Sequence, residues 1–219
     1  MIIKPLLLRA APLLTRMKLS SSPNNMASST TTTKMTTTTT TTPEEILQFW
    51  FQDLSFQQWF TKSDTVDNTI HTKFSKLHTQ ATMGELDSWR TTAEGSLAEI
   101  IVLDQFSRNL FRNSPKAFAH DGMALVLAQV AISKGYDKEL TQQQCNFLYM
   151  PFMHSESLAV HDRAVELFTD LGHEMSLEYE MKHRVIIERF GRYPHRNTVL
   201  GRTSSEEEIE FLKGPDSSF

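Results

Sequence analysis

The chain has one cysteine, only eight glycines in 219 residues, and no run in which apolar and polar residues alternate. A lone Cys145 excludes an intrachain disulfide and a cysteine zinc site, and a body of this size needs no such staple. In "QQQCNFLYM" it reads as a small buried apolar residue rather than a nucleophile. Scarce glycine and absent alternation leave no series of strands. There is no glycine-rich phosphate loop, dinucleotide fingerprint or nucleophile elbow, so nucleotide hydrolysis and serine or thiol chemistry are poor expectations.

Acid is missing from residues 1–42, which hold Lys4, Arg9, Arg16, Lys18 and Lys34. The formal net charge of -4 hides this asymmetry, because the rest of the chain carries 17 basic residues against 26 acidic ones. An acidic body argues against nucleic-acid binding, which needs a basic face, but leaves room for a local anion pocket. The opening "MIIKPLLLRAAPLLTRMKLSSSPNN" has the composition of a transit peptide, with a secretory signal as runner-up. Lys4, Pro5, Arg9 and Pro12 interrupt its apolar runs, so no membrane span is expected. The tract "MASSTTTTKMTTTTTTT" supplies no apolar face and reads as a disordered linker. A mitochondrial or plastid location follows if the leader is a transit peptide, and a cytoplasmic one if Met26 or Met35 starts the chain.

Residues 43–219 read as one all-α domain of about seven or eight helices, stacked as antiparallel hairpins. Thr42, Pro43 and Glu45 form a helix start ahead of Ile46, Leu47, Phe49 and Trp50. Val66, Ile70, Phe74 and Leu77 recur at helical spacing behind Ser63 or Asp64, and Gly84 ends that unit. "TAEGSLAEIIVLDQFSRNLF" is the third helix, and Ser114-Pro115 starts a fourth that runs to Lys134, stopped by Gly135. A break or kink near Pro151 separates the next two. A helix from about Ser176 to Gly191 comes next, and Ser204 or Ser205 caps the last. No period of 34 residues marks a regular repeat array.

Four polar stretches interrupt this pattern. "LDQFSRNLFR" sets Asp104 and Arg108 four apart on one helix face, beside Gln105, Asn109 and Arg112; a lone pair of this kind is a surface ion pair worth a few tenths of a kcal/mol. "MPFMHSESLAVHD" sets His154 and His161 seven apart, on one face if the helix is continuous, with Glu156 between them near a helix start. Without the zinc spacing, His154 reads as a core histidine and Glu156 as a helix-dipole partner, so no metal is expected. "KHRVIIERFGR" holds His183 and Arg184, with Glu180–Arg184 and Glu188–Arg192 in the favourable acid-first order. "RYPHRN" puts His195, Arg196 and Asn197 on a turn after Tyr193-Pro194, where they can cap helix carbonyls or present planar donors to a carboxylate or phosphate.

Together "LDQFSRNLFR", "SPKAFAHD", "FLYMPFMHSESL", "HRVIIERFGRYPHRN", "LGR" and "PDSSF" resemble domain-of-unknown-function family 924, over Glu45 to Phe219. The resemblance implies a fold similar to tetratricopeptide-like helical domains and no assigned activity. Its characteristic polar residues fall on Asp104, Gln105, Arg108, Asn109, His154, Ser155, Glu156, His183, Arg184, Gly191, Arg192, Pro194, His195, Arg196 and Asn197. Ser107 stands where the family has proline, and His161 is not a family feature. Three readings stay open. The cluster could bind a small anionic ligand, with Asp104, His154, Glu156, His183 and His195 as acid-base groups and Arg108, Arg184 and Arg196 holding the anion. It could read an acidic peptide in a helical groove, or be a structural network that pins helix ends. No cofactor is expected, and oligomeric state is not legible.

Overall fold

A computed structural model describes residues 41–218. The expected leader and threonine-rich linker lie, up to residue 40, outside the described residues.

The described residues form helices and turns without a strand. The α-helices are α1 (Pro43–Gln48), α2 (Phe56–Phe60), α3 (Asp64–Thr82), α4 (Ala93–Ile101), α5 (Ser107–Leu110), α6 (Asp121–Ser133), α7 (Gln142–Met153), α8 (Leu158–Leu171), α9 (Glu174–Phe190) and α10 (Glu206–Phe211). Caps sit where local chemistry puts them. Thr42 forms a capping box with Glu45 behind Pro43, Ser63 accepts from the Val66 amide, and Ser205 forms a capping box with Glu208. Gly191 ends α9 at φ 67°, a left-handed conformation open to glycine without strain.

α4 is the central element and packs against α1, α6 and α7. Residues 95–104 are all buried, so past Glu94 this helix has no solvent-facing side. Its one buried acid there before Asp104, Glu99, is clamped by Arg90 through two bonds of 2.6 Å. Gly95 lets the Asp87–Thr91 turn close on it: a Cβ there would lie 2.1 Å from the Trp89 carbonyl. Phe49, Trp50, Phe74 and Phe106 interlock at centroid distances of 5.2–6.1 Å and fill the space around α4. The last large helices pack in chain order, α7 on α8 and α8 on α9, with turns of four and two residues between them.

Three sequence expectations shift. The third helix is not uniform: a π segment, Val102–Phe106, links α4 to α5 and puts Asp104 in the interior. A π turn holds more residues than an α turn, which rotates the next residues relative to a regular helix. The fourth helix does not start at Pro115. A 3-10 turn (Pro115–Ala117) comes first, and α6 begins at Asp121. Pro151 does not break the chain: α7 continues to Met153. So near a helix end a missing N–H forfeits little of the ladder. His154 therefore caps α7 while His161 lies inside α8, and the two do not share a helix face.

Candidate functional site

The C-terminal end of α7, residues 115–119 with the start of α6, and the 3-10 turn Pro194–Arg196 border a pocket of about 320 Å³. Asp121, His154, Ser155, Glu156 and Arg196 give its polar wall; Phe118, Leu125, Pro151 and Leu200 are among its apolar ones.

Behind the polar wall runs a chain of alternating charge. Asp104 is 1% exposed, and its Oδ1 meets His154 Nδ1 at 2.7 Å and Arg108 Nη1 at 3.1 Å. Gln105 donates to its Oδ2 at 2.5 Å. Arg108 reaches onward with both terminal nitrogens to Asp121, at 2.9 and 3.0 Å, and its Nη1 also donates to the Asp104 carbonyl at 2.8 Å. Arg196 Nη1 donates to the same Asp121 carboxylate at 3.2 Å. The Arg196 guanidinium lies between the Phe118 and Tyr193 rings, 4.5 and 4.6 Å from their centroids. Asp104 is buried and the Arg108 side chain only 21% exposed, so the pair is not the surface ion pair that its spacing alone suggests.

Charge states follow from this packing. Burial raises the Asp104 pKa, but Arg108 and His154 outweigh it and hold the carboxyl well below the usual range. Burial and then Arg108 lower His154, against the pull of Asp104, which favours the neutral ring. Burial and Arg108 also lower Arg196, with Asp121 opposing.

A second network anchors the backbone around His154. Glu156 accepts the Tyr193 amide at 2.8 Å and two bonds from Arg202 at 2.6 and 2.8 Å. It does not act as the helix-dipole partner expected of it, because the α9–α10 connection supplies closer donors. Tyr193 Oη donates to the Met153 carbonyl at 2.6 Å, and His161 Nε2 lies 2.9 Å from the Ser155 carbonyl. A carbonyl only accepts, so Nε2 carries a hydrogen. His161 Nδ1 is 2.6 Å from Glu180 Oε1, both side chains fully buried, and the pair must share a proton across that contact. Burial raises Glu180 accordingly, with His161 opposing.

The ten candidate residues divide. Asp104, Arg108, His154, Glu156 and Arg196 meet at or directly behind the pocket. His195 and His183 lie one layer back against Tyr193, at 5.5 and 5.7 Å between ring centroids; His183 Nδ1 bonds the Tyr179 carbonyl at 2.7 Å. Asn197 closes the 197–202 loop, donating to Ser204 at 3.0 Å and accepting from Arg202 at 2.9 Å. Asn109 faces α3, where with Arg112 it holds Asp67. Arg184 pairs with the exposed Asp162 and Glu188 and stays away from the pocket. Neither acid-first pair on α9 forms among the described residues: Glu180 is taken by His161, and Arg192 turns to Glu208 at 2.7 Å.

The family model for a bacterial protein of unknown function, DUF924, matches residues 46–216. The chain belongs to this family. It is also similar to the structure of ATU0120, a protein of unknown function from Agrobacterium tumefaciens, at 39% identity and a TM-score of 0.75, over 78% of this chain and 97% of that one. No curated protein matches the chain.

Sequence reasoning misses Asp121 and Phe118 as site residues, although both belong to the family stretch "SPKAFAHD". Asp121 lies 13 residues from Arg108 and 75 from Arg196, and no local spacing rule reaches that far. Spacing places Tyr193 only in a rigid corner, yet it is fully buried and holds Arg196, Met153 and Glu156 in place. Cys145 is buried as expected, and burial pushes its thiol up to about 11. Among the described residues no group of three or more His, Cys, Asp or Glu is placed to hold a metal ion, and no helix is long and apolar enough to cross a membrane.

Proposed function

We propose that the pocket binds a small molecule with one anionic group and an apolar body. Arg196 carries this proposal. Its side chain is only 7% exposed, yet of its five N–H groups only one donates to a protein acceptor among the described residues, through Nη1 to Asp121. Nε is buried without a partner, and Nη2 has no protein acceptor while the residue lines the pocket. A planar donor held flat between two rings suits a carboxylate or phosphate oxygen. Phe118, Leu125, Pro151 and Leu200 would take the apolar body.

The cluster balances its own charge: Arg108, Arg196 and Arg202 face Asp104, Asp121 and Glu156. An anion would therefore be held by directed donors rather than by a positive field, and its affinity would respond weakly to salt. Metabolites that co-purify with the protein, read by mass spectrometry, test the proposal. A small acid should accompany the wild type and the Arg184→Gln variant and be absent from Arg196→Gln. Identical metabolite profiles for Arg184→Gln and Arg196→Gln would refute it.

A further inference from the structure

We infer, resting on the anion pocket proposed above, that its ligand also carries a hydroxyl or similar proton donor next to the anionic group, received by His154 Nε2. The ligand class is then a hydroxy acid with an apolar side chain rather than a plain acid.

The tautomer of His154 decides this. Nδ1 lies 2.7 Å from Asp104 Oδ1, and an ionised carboxylate only accepts, so Nδ1 carries the hydrogen. Asp104 is fixed in that role by Arg108 and Gln105. A neutral ring then presents a lone pair at Nε2. This atom has no protein partner among the described residues, and the 15% of the His154 side chain left exposed borders the pocket. The charged and titratable groups around the ring keep it neutral. Arg108 on α5, His183 on α9, and His195 and Arg196 on the 3-10 turn stand against Asp104 on the π segment and Asp121 on α6, in an interior that itself disfavours the cation.

The wall therefore offers two unlike receptors. Arg196 Nη2 donates and suits an anionic oxygen. His154 Nε2 accepts, repels a second anionic oxygen and suits an O–H. A plain acid leaves Nε2 without a partner once water is displaced, and a site built to bond a hydroxyl discriminates against the analogue that lacks it.

Calorimetric titration at pH 7.5 with 2-hydroxy-3-phenylpropanoate and with 3-phenylpropanoate tests the inference. The wild type should bind the hydroxy acid about tenfold more tightly, the factor expected for one net hydrogen bond. His154→Ala should erase that preference and still bind 3-phenylpropanoate, whereas Arg196→Gln should weaken both acids alike. Equal affinity of the wild type for the two acids overturns this inference alone. Failure of both acids to bind overturns it together with the anion pocket. Nitrogen-15 NMR of the wild type gives a readout that needs no variant: hydrogen on Nδ1 of His154 at pH 7.5 supports the inference, and hydrogen on Nε2 overturns it.

Discussion

Phe106 and Tyr193 are both 0% exposed, but their surroundings have little in common. Phe106 meets Phe49, Trp50 and Phe74 at 6.1, 5.7 and 5.3 Å between ring centroids. Tyr193 meets Arg196, His161, His183 and His195, and spends its hydroxyl on the Met153 carbonyl. The first region is a large apolar core that runs from α1 through α8; the second has, among the described residues, only Ile186, Ile187 and Tyr193 as its buried hydrophobics. Apolar packing around Phe106 is stabilising and tolerant of direction. At the corner around Tyr193 each polar group is useful in one position only, and a misplaced one is penalised by burial. A structure can be held more simply than that, so the corner is the part of the molecule whose chemistry calls for a reason beyond stability.

The strongest break of this contrast is at the core. Phe106→Ala should lower unfolding free energy by about 3–5 kcal/mol in urea melts, through lost transfer energy and a residual cavity. The loss should be the same at pH 7 and pH 5, since no titrating group is its partner. A loss below about 1 kcal/mol would show that the aromatic half is not what holds the fold. Next in size is Asp121→Ala, expected to be destabilising by about 3 kcal/mol, because it leaves Arg196 buried without a carboxylate and Arg108 with Asp104 alone. Arg184→Ala is the matched control on exposed carboxylates and should change stability far less than Asp121→Ala. Equal effects at Asp121 and Arg184 would mean that the corner is an ordinary surface network.

The two regions also differ in how far the sequence reveals them. The aromatic half follows from periodicity: Val66, Ile70, Phe74 and Leu77 recur on one face of α3 and all are buried. Caps at Thr42, Ser63 and Ser205 are readable because they act over three residues. The corner is legible only as an oddity, four stretches too polar for their place. Its contacts join residues 37, 46, 50 and 75 positions apart, and no short-range rule encodes them. Short-range rules also mislead. Glu180 and Arg184 have the favourable spacing, but a fully buried imidazole on α8 is the nearer partner for Glu180. The π segment is invisible for a similar reason, since Val102–Phe106 carries no residue that marks a widened turn. Family membership supplies what spacing cannot: it marks the stretches that converge, though not the order in which they touch.

Titration sharpens the contrast by a smaller amount. Burial lowers His183 to about 3, and burial with Arg196 lowers His195 to about 4, from a common unfolded value near 6.5. Well above pH 6.5 both rings are neutral whether the chain is folded or not, and they add no pH dependence there. As pH falls below that value the unfolded chain takes up protons that the folded corner refuses. Stability then drops by up to about 1.4 kcal/mol per pH unit for each ring, so His183 alone accounts for roughly 2 kcal/mol by pH 5. Glu180 acts in the opposite sense, because its raised pKa favours the folded state at low pH. The contrast between regions is not absolute either: His78, bonded to Ser107 at 2.7 Å on the aromatic side, is lowered to about 4 by burial and then by His120. Comparing slopes between variants separates these contributions. His183→Gln should flatten the stability profile between pH 6.5 and 5 by close to one histidine's share, and Phe106→Ala should leave the slope intact. An unchanged slope in His183→Gln would mean that this ring takes up its proton inside the folded corner, and that the corner is wetter than its hydrogen bonds imply.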